Sequence, residues 1–155
     1  MHTRREVMKR SAAVASMLAA AGMLPQLAQA QAAGYSAAAF EAKTVADVIK
    51  ALGAAAPAES PDISVNGPDI AENGAVVPLG AAVTAAGVKR VLLMIEKNPY
   101  TLAAMFEPGD SVEPSISTRV KMGQSSQVYA VAVMNDGRVL YAHKEIKVTL
   151  GGCGG

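Results

Sequence analysis

The stretch VYAVAVMNDGRVLYAHKEIKVTL, Val128 to Leu150, decides the fold. Val128–Met134 and Arg138–Leu150 are two β-rich runs on either side of Asn135-Asp136-Gly137, and Asp-Gly tolerates the positive φ that a tight hairpin connection needs. Along the second run Leu140, Ala142, Ile146, Val148 and Leu150 share one face. Tyr141, His143, Glu145, Lys147 and Thr149 share the other, as the two-residue period of a strand requires. Lys144 interrupts the apolar face and marks that end as an edge or an interface.

The pattern continues upstream. Val88–Lys97 is a continuous β-rich run centred on Val91-Leu92-Leu93-Met94-Ile95. Thr101–Phe106 is a second run, closed by Pro108-Gly109-Asp110. Val112–Lys121 is a third, and Pro114 near its start places it at a sheet edge, since proline donates nothing to a ladder. Pro57, Pro61, Gly67, Pro68, Gly74 and Pro78 punctuate a stretch that cannot stay helical. Before it, Val45, Val48, Ile49 and Leu52 fall at helical spacing within Phe40–Leu52. Gly53 supplies a left-handed stop, and Thr44 with Asp47 suits the cap of a shorter helix. Residues 31–39 are alanine-rich and expected to be mobile. Short strands, regular turns and little helix predict a mainly β, antiparallel sandwich with a short N-terminal helix. Residues 31–150 form its single domain.

The N-terminus reads as an export signal over residues 1–30. Arg4-Arg5 is a twin arginine, Ala12–Leu24 is an apolar run, and Ala28-Gln29-Ala30 is a small-residue cleavage site. The run is shorter than the roughly 20 residues a membrane span needs. The expected destination is the periplasm by the twin-arginine route, with no membrane segment in the processed chain. Removing Arg4, Arg5, Lys9, Arg10 and Glu6 leaves ten basic and twelve acidic residues, a formal net charge of −2. A weakly acidic domain with scattered lysines lacks the electrostatic footprint for nucleic acid.

The sequence holds one cysteine, Cys153, inside GGCGG at 151–155. Glycines on both sides keep a backbone thin and free to turn, so the sulfur sits on a bare, flexible arm. From Leu150 to Cys153 the arm reaches about 10 Å. Nothing in GGCGG lowers the thiol pKa from its ordinary value of roughly 8.5. A thiol protease would need a held base such as His143 and a third group to orient it. Blue-copper and zinc sites need more histidines and cysteines than His143 and Cys153 supply. No phosphate loop is present, and Met94, Met105, Met122 and Met134 suit core filler better than ligands. No cofactor and no catalytic residue are therefore expected. Two uses of an exposed thiol remain. Cys153 is either an attachment point that carries a group between enzymes, or the joint of a disulfide to another chain in a binding or structural module.

The ending Lys147-Val148-Thr149-Leu150-Gly151-Gly152-Cys153-Gly154-Gly155, behind a twin-arginine signal and a small β-domain, resembles the SoxY family of sulfur carriers in bacterial thiosulfate oxidation. The resemblance implies an immunoglobulin-like β-sandwich working as a heterodimer with a SoxZ-type subunit. It implies that Cys153 is loaded with thiosulfate as an S-thiosulfonate by a haem enzyme. A hydrolase then releases sulfate, and in many systems a sulfane dehydrogenase oxidises the sulfur left behind. Gly151, Gly152, Gly154 and Gly155 would form the swinging arm, and the carrier itself would catalyse nothing.

Overall fold

The computed structural model describes residues 36–109 and 111–151. Two helices come first among these, α1 (Ala37–Glu41) and α2 (Val45–Ala51). The strands follow as β1 (Ala58–Glu59), β2 (Ile63–Asn66), β3 (Ile70–Asn73), β4 (Val77–Val83) and β5 (Val88–Ile95). They continue as β6 (Leu102–Phe106), β7 (Ser115–Val120), β8 (Ser126–Met134) and β9 (Val139–Leu150).

The hairpin forms where expected. Val133 pairs with Val139, and Gly137 takes φ +88° as the third residue of the four-residue connection 135–138. The Gly137 N–H donates to the Met134 carbonyl at 3.1 Å, a turn that only a left-handed residue can close smoothly. One sheet has the order β1-β9-β8-β5-β6, and β3 also pairs with β9. The other has the order β2-β4-β7. The architecture is the mainly β, immunoglobulin-like sandwich. It is not wholly antiparallel, because β1 and β3 both run parallel to β9. The chain touches the first sheet at β1, crosses to the second as β2, and returns as β3 further along β9.

Between the sheets, Val77, Leu79, Ala81 and Val83 of β4 bury against Val91, Leu93, Ile95, Val128, Ala130 and Ile146. The opposite face of the first sheet is covered by Val48 and Ile49 of α2, which pack on Leu92, Met94, Val131 and Val139. Burial on both faces explains why β5 reads as an unbroken apolar run rather than an alternating one. Met94, Met122 and Met134 are core residues, and Met105 packs against the second cluster.

Several expectations need correction. The helix over Phe40–Leu52 is two helices, because Ala42 is extended (φ −65°, ψ 143°) and Thr44 caps a new start. The Thr44 hydroxyl accepts from the Asp47 N–H at 3.1 Å and donates to its carboxylate at 2.7 Å. Gly53 ends α2 at φ +63°, as its position suggested. Residues 36–39 are ordered rather than mobile: Ser36 caps α1 and Ala39 is fully buried. The stretch with Pro61 to Pro78 contains three strands, including the central β4. Pro78 is tolerated there because β2 pairs with β4 only as far as Gly80, so Pro78 has a neighbour on one side alone. β7 is shorter than Val112–Lys121, but it does lie at an edge, pairing only with β4. No helix among the described residues is long and apolar enough to cross a membrane.

Lys144 does not mark β9 as an edge strand, since β9 pairs with β8 on one side and with β1 and β3 on the other. Its Nζ donates to the Gly67 carbonyl at 2.7 Å and lies 2.8 Å from Asp69 Oδ1, pinning the β2–β3 crossover onto β9. Lys144 holds the Asp69 carboxyl below its ordinary range, first by the hydrogen bond and then by charge. A depressed acid stabilises the fold above its unfolded pKa and loses that contribution as pH falls through the folded value. Lys144→Met is expected to cost about 1 kcal/mol at neutral pH, mainly through the Gly67 carbonyl left without its charged donor. The loss should shrink in acid. Urea unfolding at neutral pH and near pH 3 checks this, and an equal loss at both would remove Asp69 from the account.

Candidate functional site

The last strand is held to its final residue. On one side β3 pairs with it down to Asn73 opposite Leu150, and the Gly74 N–H donates to the Leu150 carbonyl at 2.7 Å. The Thr149 hydroxyl donates to the Glu72 carbonyl at 2.9 Å. On the other side the β8 ladder stops at Ser126 opposite Ile146, and a side chain takes over: Ser125 Oγ accepts from the Val148 N–H at 2.9 Å.

Gly151 follows directly. A Cβ built on it would collide with the Gly123 carbonyl, so this position is glycine for want of space as well as for freedom. Gly123 is itself fixed. Its N–H donates to Asn98 Oδ1 at 3.1 Å, and Asn98 Nδ2 donates to the Lys121 carbonyl at 2.8 Å. Between them the Met122 N–H donates to the Gly74 carbonyl at 2.7 Å, with its side chain fully buried. Loop 121–125 and strand β3 thus form a two-sided seat for the end of β9. Gly152, Cys153, Gly154 and Gly155 lie outside the described residues, as do residues 1–30, read from the sequence as an export signal.

His143 lies elsewhere. It sits on the outer face of β9, partly exposed, with its ring 5.6 Å from Tyr129 and 6.1 Å from Tyr141. Its Nδ1 is 4.0 Å from Glu59 Oε1. Burial, followed by the charge of Glu96, raises the pKa of neighbouring Tyr129. Seven residues of strand separate His143 from Leu150, about 23 Å. Among the described residues no three His, Cys, Asp or Glu side chains gather as a metal site would require. Asn98 and Gly123 went unnoticed in the sequence. Lys97-Asn98-Pro99 reads as an ordinary turn, and only the fold shows what its amide holds.

The arrangement defines a class: a β-sandwich without an assembled catalytic cluster in the described residues, whose longest strand runs straight into a glycine-flanked thiol. The family model of the sulfur oxidation protein SoxY matches residues 48–153, from Val48 of α2 through Cys153. The chain belongs to the SoxY family. Among solved structures it resembles the sulfur carrier protein SoxY from Chlorobium limicola f thiosulfatophilum, with 28% identity and a TM-score of 0.60. That match covers 66% of this chain and 93% of the other. A superoxide reductase (neelaredoxin) from Ignicoccus hospitalis is 22% identical, with a TM-score of 0.48 over 56% of this chain and 79% of that one. A fibronectin(III)-like module of CbhA from Clostridium thermocellum is 19% identical, with a TM-score of 0.45 over 56% and 93%. No curated protein sequence matches.

Proposed function

We propose that this protein is a sulfur carrier in thiosulfate oxidation, with Cys153 as the point of covalent attachment. One observation carries the reading: the SoxY family match extends through Cys153, the only cysteine, which follows the seated end of β9 at Leu150 by three residues. The protein catalyses nothing by itself. Gly151, Gly152, Gly154 and Gly155 make the arm that lets partner enzymes take the thiol into their own sites. This accounts for a cysteine with no activating neighbour in its own segment, since the enzyme that receives it supplies the activation.

Loading joins the Cys153 sulfur to the outer sulfur of thiosulfate, giving an S-thiosulfonate. The thiol proton is released and two electrons pass to the haem of the loading enzyme. A hydrolase then adds water across the sulfur–sulfonate bond, releasing sulfate and a proton and leaving a persulfide on Cys153. A sulfane dehydrogenase oxidises that remaining sulfur where the host has one. A SoxZ-type subunit completes the carrier, and Arg4-Arg5 with the following apolar run supports export to the periplasm.

Intact-mass spectrometry of the protein from thiosulfate-grown cells tests the reading. The expected spectrum shows adducts of sulfur and oxygen that vanish on reduction and map to Cys153. A chain-to-chain disulfide at Cys153 with no such adducts would support instead a module joined to another chain.

A further inference from the structure

We propose that Asn98 is a positioning residue for sulfur transfer, a role that rests on the carrier reading of Cys153. Asn98 follows β5 in a turn whose own N–H donates to the Ile95 carbonyl at 3.3 Å. Its amide is committed at both ends to one loop, with Nδ2 on the Lys121 carbonyl and Oδ1 on the Gly123 N–H. Neither bond belongs to a strand ladder. Together with the Met122–Gly74 bond they clamp Gly123 from two sides. The fixed Gly123 carbonyl stands where a side chain on Gly151 would have to go, so it abuts the backbone at the point where the chain leaves β9.

The reach makes that position matter. Cys153 is two residues beyond Gly151, so their Cα atoms are at most about 7 Å apart. An arm this short swings close to its root, so the position of Gly151 bounds the volume the thiol can reach. Misplacing a reacting group by about 1 Å can cost as much as a hundredfold in rate. Asn98 therefore acts through Gly123 and Gly151 on where the thiol can be presented, without touching the thiol.

Two readouts test this on the full chain. Nitroxide labels on Cys153 and on Lys50→Cys, an exposed position of α2, report their distance distribution by pulsed electron resonance. Asn98→Ala is expected to widen that distribution about twofold or more. Labels on Lys50→Cys and Ser117→Cys, placed in a Cys153→Ser background, should keep theirs, because the sandwich itself is unaltered. Asn98→Asp retains the acceptor for Gly123 and loses the donor to Lys121, and should fall between. In thiosulfate loading by the haem enzyme, Asn98→Ala should lower kcat/KM about tenfold or more. The rate of Cys153 with a small aromatic disulfide reagent should stay within about twofold of wild type, since the thiol remains accessible. Gly151→Ala disturbs the seat from the other side and stands in if Asn98→Ala does not fold. Unchanged label distributions in both variants would overturn the seat. A widened distribution with undiminished loading would overturn the positioning role. Loading that persists in Cys153→Ser would sink the carrier reading and the transfer role with it, while the label distances would still report on the seat.

Discussion

Cys153→Ser is expected to abolish thiosulfate-dependent electron release by the reconstituted partner enzymes, a loss of about a thousandfold or more, as when a sole nucleophile is removed. The size of the effect follows from the absence of a substitute. The sequence contains no second cysteine, and a serine hydroxyl cannot form the sulfur–sulfur bond on which loading depends. Stability should hardly move. Cys153 lies beyond Gly151, and the bonds that fix β9 end at Leu150, Thr149 and Val148. A substitution that removes none of a fold's packing or bonds usually stays within about 0.5 kcal/mol. The thermal melt of the variant should therefore overlay that of the parent. Undiminished electron release would refute the carrier reading. A large fall in the melting temperature would show that Cys153 packs against the sandwich.

Which parts of this could be read from the chain depends on whether the deciding interaction was local. The β8–β9 hairpin was legible because Gly137 alone can take the positive φ of its loop, and the flanking runs alternate over many residues. The cap at Thr44 and the stop at Gly53 are equally local. β3 and β4 were hidden because glycine and proline carry breaker signals that long-range pairing overrode. Pro78 escapes the usual penalty only because β2 has already ended. The parallel pairing of β1 and β3 with β9 depends on two crossovers between sheets, and no periodicity within either short strand encodes it. The site divides in the same way. Cys153 and its glycines are visible as composition. Asn98 and Gly123 are not, since their role needs loop 121–125 to meet the end of a strand some 25 residues later. Lys144 was visible as an anomaly on an apolar face, but its partners Gly67 and Asp69 are 77 and 75 residues upstream.

Gly80→Ala should produce the largest fall in stability among single-methyl changes considered in this sandwich. β4 is the central strand of the second sheet, with Gly80 opposite Asn66 on β2 and Ser117 on β7. A Cβ there would run into the Ile116 carbonyl oxygen, with Ser117 Cα at 3.4 Å and the Ile116 carbonyl carbon at 3.5 Å. Every one of these neighbours is backbone, so no rotamer change relieves the contact. The backbone angle of Gly80 is not left-handed, which leaves space rather than conformational strain as the reason for glycine. Either β7 moves away and loosens its ladder, or β4 shifts and disturbs Leu79 and Ala81 on its inner face. Overpacking of this kind costs about 2–3 kcal/mol. For a domain of this size that is a fall of roughly 10 °C in the melting temperature. Gly109→Ala is the matched control, because nothing lies within 4 Å of its added methyl. That variant should be neutral or gain a few tenths of a kcal/mol from a less mobile unfolded chain. A Gly80→Ala melt within about 1 °C of the parent would mean that the two strands part without cost. Below its own melting temperature the variant should still accept sulfur on Cys153. β9 takes its ladder bonds from β8 and β3, in the sheet opposite the damaged one, whereas loop 121–125 of its seat continues directly from β7. Slower transfer in this variant would therefore report movement of β7 passed on to the seat, and unchanged transfer would show that the seat holds without it.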